Sequence, residues 1–299
     1  MLNFEYYTPT KVFFGKGREA QTGEIIANYG YKKIMLQYGK GSIKKSGLYD
    51  EVMKSLEENG IEVVLMGGVA PNPKLSFVRE AIRIAREEKV EMILAVGGGS
   101  VIDSSKYTAS GTKYDGDVWD FPTRKATPAD ALPVGCILTI SAAGSEMSDS
   151  AVLTNTVLGK KAGIGTEFNR CRFAVINPEW GATLPAYQLA AGITDIMMHT
   201  MERYFIPGIK CDLTDEIAEG LLRTVIKNGA VVVQDPSDYD AMAEVFWASS
   251  LSHNNLTECG RGKDFSVHKL GHPLSARFGV THGASLACVW GAWAATLYR

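Results

Sequence analysis

The chain is poor in the features that mark specialised classes. Its five cysteines, Cys136, Cys171, Cys211, Cys259 and Cys288, are widely spaced and never form a CxxC pair. A disulfide framework or a thiolate zinc site is therefore not expected, and a reducing, cytoplasmic setting fits the pattern. No dense run of Lys and Arg appears, and the net charge is -2, so no field draws the chain to nucleic acid or to an anionic membrane. The N-terminus, MLNFEYYTPTKVFFGKG, lacks the basic region and apolar stretch of a signal peptide. Repeats and low-complexity segments are absent, as are a GxGxxG fingerprint and a P-loop. The most apolar stretch, GASLACVWGAWAATLYR, is too short and too rich in small residues for a membrane span.

What is present is an ordinary globular composition, 45% apolar and 21% charged over 299 residues, enough for one large domain or two of ordinary size. The first half alternates strand and helix signals. Strands are expected at Ile34–Tyr38, Glu62–Met66 and Glu91–Val96, and in LPVGCILTI and FAVINPE. SGLYDEVMKSLEENG and SFVREAIRIAREEKV are helical, the second with Val78, Ile82 and Ala85 on one face. Residues 111–132 read as a loop, and AVLTNTV with KKAGIG as a small extended excursion. Strands alternating with helices imply a mostly parallel sheet with right-handed crossovers. After Pro178 the texture turns helical throughout, which puts the domain boundary near residue 182: an α/β domain over 1–182 and an all-helical domain over 183–299. The terminal apolar stretch is apolar nearly all round, so a helix buried on every side is expected, with further chain beyond Arg299 to cover it.

Two Gly-rich turns follow strands and open helices. One is Gly39-Lys40-Gly41-Ser42; the other is Gly97-Gly98-Gly99-Ser100, continuing through Asp103 to Lys106. Glycines allow close approach of backbone to a phosphate, and free amides at a helix N-terminus bind it. Each turn also reads as a plain tight strand-to-helix connection, more readily so for the first than for three consecutive glycines. If the first turn faces an adenosine ribose, it offers Ser42, Lys44 and Lys45 and no carboxylate, which favours NADP(H) over NAD(H).

All five histidines lie in the second half. Asp195 and His199 are four apart in a helical stretch and share one face. His268 and His272 repeat the spacing, and His282 follows in a Thr-His-Gly turn. Imidazoles with one carboxylate suit Fe²⁺ or Zn²⁺. A single such pair is more often a surface or capping arrangement; two pairs and a further His favour a metal. His253, in LSHNN, has no partner at useful spacing and reads as a loop histidine.

Four stretches in this order, GGGSVIDSSK, TISAAGSE, GITDIMMHTMERYF and HKLGHPLSARFGVTHGASLA, resemble the iron-containing (group III) alcohol dehydrogenases. YGKGSIKKSGLYDEV is similar to the NADPH-dependent butanol dehydrogenase and aldehyde reductase branch. The resemblance implies a nucleotide-binding α/β domain followed by an all-α metal-binding domain, with the active site in the cleft between them, in a homodimer. It implies hydride transfer between NADP(H) and a small primary alcohol or aldehyde, with one divalent metal, Fe²⁺ or Zn²⁺, on Asp195, His199, His268 and His282. Under the same resemblance His272 lies by the metal and nicotinamide without ligating and is a candidate proton relay. Gly97, Gly98, Gly99 and Ser100 take the pyrophosphate, Asp103 the nicotinamide end, Thr139, Ser141 and Lys161 line the cofactor, and Gly39 and Ser42 form the adenosine-phosphate turn. Family members continue past the Thr-His-Gly turn with several more helices, so the helical domain is expected to be incomplete. Alternatives are a glycerol-dehydrogenase-like or dehydroquinate-synthase-like enzyme of the same fold, and a non-catalytic nucleotide- or metal-binding fragment.

Overall fold

Short runs of β-branched and aliphatic residues build the sheet, and amphipathic helices cover it. In the computed structural model, which describes Met1–Leu297, the strands are β1 (Lys11–Phe14), β2 (Lys33–Tyr38), β3 (Glu62–Gly67), β4 (Met92–Gly97), β5 (Val134–Leu138), β6 (Ser150–Asn155), β7 (Lys160–Gly165) and β8 (Phe173–Ile176). Six of them form one parallel sheet in the order β1-β8-β5-β4-β2-β3. Strands of a parallel sheet are covered on both faces, so β4, β5 and β8 are buried along their whole length. β6 and β7 form the extended excursion, an antiparallel pair of their own.

Between the strands run α1 (Thr22–Asn28), α2 (Ser42–Lys45), α3 (Leu48–Glu58), α4 (Leu75–Glu87) and α5 (Gly99–Thr112). In α4, Val78, Ala81, Ile82 and Ala85 are buried, while Arg83 pairs in solvent with Glu80 and Glu87. The 111–132 stretch is mostly irregular, with one short 3₁₀ turn at Val118–Asp120.

Strand order creates a switch point. From β2 the chain moves outward to the edge strand β3, crosses back to β4, and then proceeds to β5 on the other side. β2 and β4 are neighbours, with Tyr38 opposite Val96, so both Gly-rich turns leave the same edge of the sheet side by side. Ligands of open parallel sheets bind at such a place.

The helices of the second half are α6 (Ala186–Tyr204), α7 (Asp212–Gln234), α8 (Tyr239–Ser252), α9 (Ser266–Phe278) and α10 (His282–Leu297), and α6 packs on each of the other four. Two compact units result. One holds Pro9–Thr139 and Asp149–Asn177; the other holds the chain from Pro178 together with Met1–Thr8 and Ile140–Ser148. Sequence texture alone puts those two short segments with the sheet. The helices hold Ile140–Ser148 through a buried hydrogen bond from Ser250 to Glu146 and through Gly192, where an added Cβ would stand 2.3 Å from the Ser141 carbonyl oxygen.

One element lies outside the sequence reading, and one expectation holds only in part. β1 does not stand out in the sequence, because its four residues gain their strand character by pairing with the distant β8. The terminal helix is not buried on every side: Gly283, Ser285 and Leu286 are buried, whereas Ala287, Cys288, Gly291 and Ala292 are exposed. Its packing is on α6 and α9, which cover one face only.

Candidate metal centre and nucleotide turn

The C-terminal half of α6 departs from amphipathic patterning. Asp195, His199, Glu202 and Arg203 are all buried, together with Ile196, Met198, Thr200 and Met201. Charged side chains are rarely so buried unless something pairs with them. Asp195 Oδ1 lies 3.6 Å from His199 Nδ1, 3.6 Å from His268 Nε2 and 3.7 Å from His282 Nε2. His199 Nε2 and His268 Nε2 are 3.1 Å apart.

These distances arise from helix packing. His268 lies in the first turn of α9, after Phe265, whose φ of 54° turns the chain sharply into the helix. His282 opens α10, and the glycine after it has a steric reason. A Cβ on Gly283 would stand 1.8 Å from the Ala191 carbonyl oxygen, so only glycine lets α10 approach α6 this closely. Asp195, His268 and His282 thus offer one atom each within 4.8 Å of one another. His199 stands beside that trio through the two contacts given above. His272, one turn further along α9, lies outside the trio, its ring centroid 5.7 Å from that of His282.

Donor atoms in tetrahedral array around an ion at about 2.0–2.2 Å are separated by roughly 3.3–3.6 Å. Asp195 Oδ1 stands close to that spacing from His268 Nε2 and His282 Nε2, at 3.6 and 3.7 Å, and His199 adjoins the trio through Nδ1 toward Asp195 or Nε2 toward His268, of which an ion takes one. Asp195 Oδ1 and His199 Nδ1 are buried without a hydrogen-bond partner among the described residues, a costly arrangement that a cation between them would relieve. Three imidazoles and one carboxylate also match the donor preferences of Fe²⁺ and Zn²⁺. The residues present therefore fit a divalent metal.

Electrostatics point the same way. Burial, reinforced by His253, His268 and Arg203, pushes the His199 imidazole well below its ordinary range, so it stays neutral with one nitrogen lone pair available. Burial also acts to lower His268, but the Asp195 and Glu202 carboxylates outweigh it and hold the ring above its usual range.

Two neighbours escaped the sequence reading. Glu202 accepts a short hydrogen bond from His268 Nδ1, and its other oxygen accepts from the backbone N–H of Val267 at 2.6 Å. Its signal was available: Glu202 falls three residues after His199, on the same helical side. His253, read above as a loop histidine without partners, caps the end of α8 with its ring centroid 4.0 Å from that of His199. Arg203 donates to the His199 and Ser252 carbonyls and to His253 Nδ1 at 2.6, 3.2 and 3.2 Å. No sequence spacing announces that contact.

In the sheet unit, the Gly-rich turn at β4 leads into α5, which begins at Gly99 with Gly98 as its cap and no acidic residue in its first turn. Its opening amides are a ready anion site. A Cβ on Gly97 would meet Val101 Cγ2 at 2.6 Å, so the strand-to-helix turn is tight at that point. Ser100 Oγ accepts from the Asn72 N–H at 3.2 Å, and Lys161 Nζ donates to Asn72 Oδ1 at 2.8 Å. Ser100 and Lys161 are thereby brought together through Asn72, a residue in the left-handed region at φ 55° that the motif reading passed over. Thr139 follows β5 against the same turn, its N–H donating to Gly97 O at 3.2 Å. Asp103 accepts from Val152 N at 2.9 Å and so fastens β6 to α5. Gly39 follows β2 and Ser42 begins α2, where Lys44 Nζ lies over the rings of Tyr38 and Tyr49. Ser141 is not among these groups: it is buried in the helical unit, backed by Gly192.

Comparison with known proteins agrees with this layout. Residues 9–178 match the family model for iron-containing alcohol dehydrogenase, and residues 189–299 match that of the Fe-containing alcohol dehydrogenase family, C-terminal. NADH-dependent butanol dehydrogenase A of Clostridium acetobutylicum is 44% identical over 293 residues, covering 98% of this chain and 75% of that protein. The NADPH-dependent aldehyde reductase YqhD of Escherichia coli is 37% identical, over 97% of this chain and 74% of its own length. The crystal structure of NADH-dependent butanol dehydrogenase A from Thermotoga maritima superposes with a TM-score of 0.98 at 43% identity, covering 100% of this chain and 75% of that one.

Proposed function

Because the chain belongs to the iron-containing alcohol dehydrogenase family and is a metal-dependent alcohol/aldehyde oxidoreductase, we propose that it interconverts a small primary alcohol and its aldehyde, of the butanol/butanal kind, with NADP(H). The observation that carries the site is the convergence of Asp195, His199, His268 and His282, with buried atoms on Asp195 and His199 that have no hydrogen-bond partner among the described residues. Relatives are named for either nucleotide, so the preference for NADP(H) rests on the turn after β2. It presents Ser42, Lys44 and Lys45 and no carboxylate, a composition suited to a 2′-phosphate.

A divalent ion, when bound, supplies Lewis acidity at the substrate oxygen, and the nicotinamide supplies or accepts the hydride. The chain's own residues do the rest. One carboxylate among three neutral imidazoles leaves a dication a net positive charge to favour a developing alkoxide. The α5 amides from Gly98 to Ser100, with Lys161 beside them, hold the pyrophosphate. His272 holds the proton that an alcohol oxygen gains or loses, which is ordinary general acid–base work for an imidazole beside the reacting oxygen.

In this reading the enzyme is a homodimer of the cytoplasm. Among the described residues no disulfide links the five cysteines, and no helix is long and apolar enough to cross a membrane.

The test is NADPH oxidation with butanal after anaerobic Fe²⁺ loading, beside a chelated control. Chelator-sensitive turnover that is faster with NADPH than with NADH is expected. A metal-loaded chain that binds NADPH without turnover overturns the proposal.

A further inference from the structure

Glu202 is 1% exposed and sits at the Nδ1 edge of His268, whose Nε2 edge meets the other metal-site donors. One carboxylate oxygen meets His268 Nδ1; the other accepts from the N–H of Val267 at 2.6 Å and, more weakly, from that of His268 at 3.4 Å. Those two backbone donors belong to the first turn of α9, which has no side-chain cap at Phe265. An ionised carboxylate only accepts. Against it, His268 Nδ1 carries a proton in either charge state of the ring, so Nε2, directed at Asp195 and His199 3.6 and 3.1 Å away, is the nitrogen left for a metal.

We infer that Glu202 is the positioning residue of the metal centre: it fixes the tautomer and ring orientation of His268, supplies negative charge behind it, and ties that orientation to the start of α9. The inference rests on the metal-site reading above. A carboxylate behind a ligating histidine fixes the tautomer and raises ligand basicity. Here the same side chain also satisfies two of the amide donors that every helix start leaves free, so ring and helix move as one body.

A glutamine at 202 is nearly isosteric and breaks this arrangement in a defined way. It has a single acceptor oxygen. Turned toward Val267, it presents its NH₂ to Nδ1 and drives the proton to Nε2, where it competes with a metal. Turned toward Nδ1, it leaves the Val267 amide facing another donor.

Co²⁺ titration of the metal-free full chain, followed by its visible absorption, separates the possibilities. Wild-type protein is expected to take up one Co²⁺. Glu202→Gln is expected to bind it roughly 10–100-fold more weakly, with a shifted visible band. A Glu202→Gln protein with unchanged affinity and spectrum overturns the inference, whereas a wild-type chain that takes up no Co²⁺ overturns the metal-site reading itself. Should Glu202→Gln fail to fold, the Zn²⁺-loaded wild type decides by long-range ¹H–¹⁵N correlation of the imidazoles. A proton on His268 Nδ1 supports the role, and a proton on Nε2 ends it.

Discussion

His253 lies against His199 with ring centroids 4.0 Å apart and planes tilted by 35°. Arg203, itself fully buried and seated over Phe265, spans both residues. Because a guanidinium only donates, His253 Nδ1 accepts and its proton sits on Nε2. His253→Ala is expected to cost about 1–2 kcal/mol by removing the ring and stranding an Arg203 N–H, and to loosen metal retention through His199. His253→Phe restores the ring without the acceptor, and so recovers part of the loss. Urea unfolding and metal content of the two variants check this; equal losses would show that the ring contact contributes nothing.

Gly283→Ala tests the approach of α10 to α6. The new Cβ would stand 1.8 Å from a backbone oxygen of Ala191, which cannot give way as a flexible side chain does. A destabilisation of about 1–3 kcal/mol or more, with loss of bound metal as His282 is displaced, is expected. At Gly291 nothing lies within 4 Å, and Gly291→Ala in the same helix is expected to be neutral or mildly stabilising.

His268 and His272 share a helix and are expected to differ in role. His268→Ala abolishes metal retention and turnover together. His272→Ala keeps the metal and lowers kcat by about 10²–10⁴-fold. Metal analysis beside steady-state rates separates them, and full activity in metal-free His268→Ala would remove the ligand assignment.

Gly39→Asp addresses the nucleotide. A Cβ at Gly39 meets nothing closer than the Val69 oxygen at 3.8 Å, so a carboxylate can be housed there. It would repel a 2′-phosphate and suit a ribose 2′-hydroxyl. The ratio of kcat/KM for NADPH to that for NADH is expected to fall by about tenfold or more, about 1.4 kcal/mol or more. An unchanged ratio would place the ribose elsewhere.

The metal-free protein should carry a defined pH signature. His199 is held well below the ordinary imidazole value of 6.5, so its neutral burial stabilises the fold above about pH 6.5 and that contribution is lost as pH falls. His268 is raised above 6.5; its contribution is complete below about pH 6.5 and is lost as pH rises through its folded value. Together they give a stability maximum near pH 6.5, readable in urea midpoints across pH. His199→Asn should flatten the acid limb alone.

Local pattern was enough for much of this protein. Short apolar runs mark β2, β3 and β4, and a period of 3.6 residues marks α3 and α4, without reference to anything distant, because burial of a strand or of one helix face imposes them. The glycines at 97–99 and the pairs Asp195/His199 and His268/His272 were visible as spacing, since helical geometry alone puts residues four apart on one side. β1 was not visible: four residues become a strand only when β8 is there to pair with them.

The sequence by itself determined the alternation of strands and helices, the two glycine turns, and the donors available to a metal. Tertiary structure alone decided which donors meet. Asp195 and His282 come within 3.7 Å because Gly283 lets two helices touch, and no spacing along the chain encodes that approach. It also turned Glu202 and His253 from background into the neighbours of His268 and His199, and it assigned Ile140–Ser148 to the helices through Gly192. Contacts within one turn follow from backbone geometry. Contacts between helices depend on how whole faces pack, and only the folded chain makes that choice.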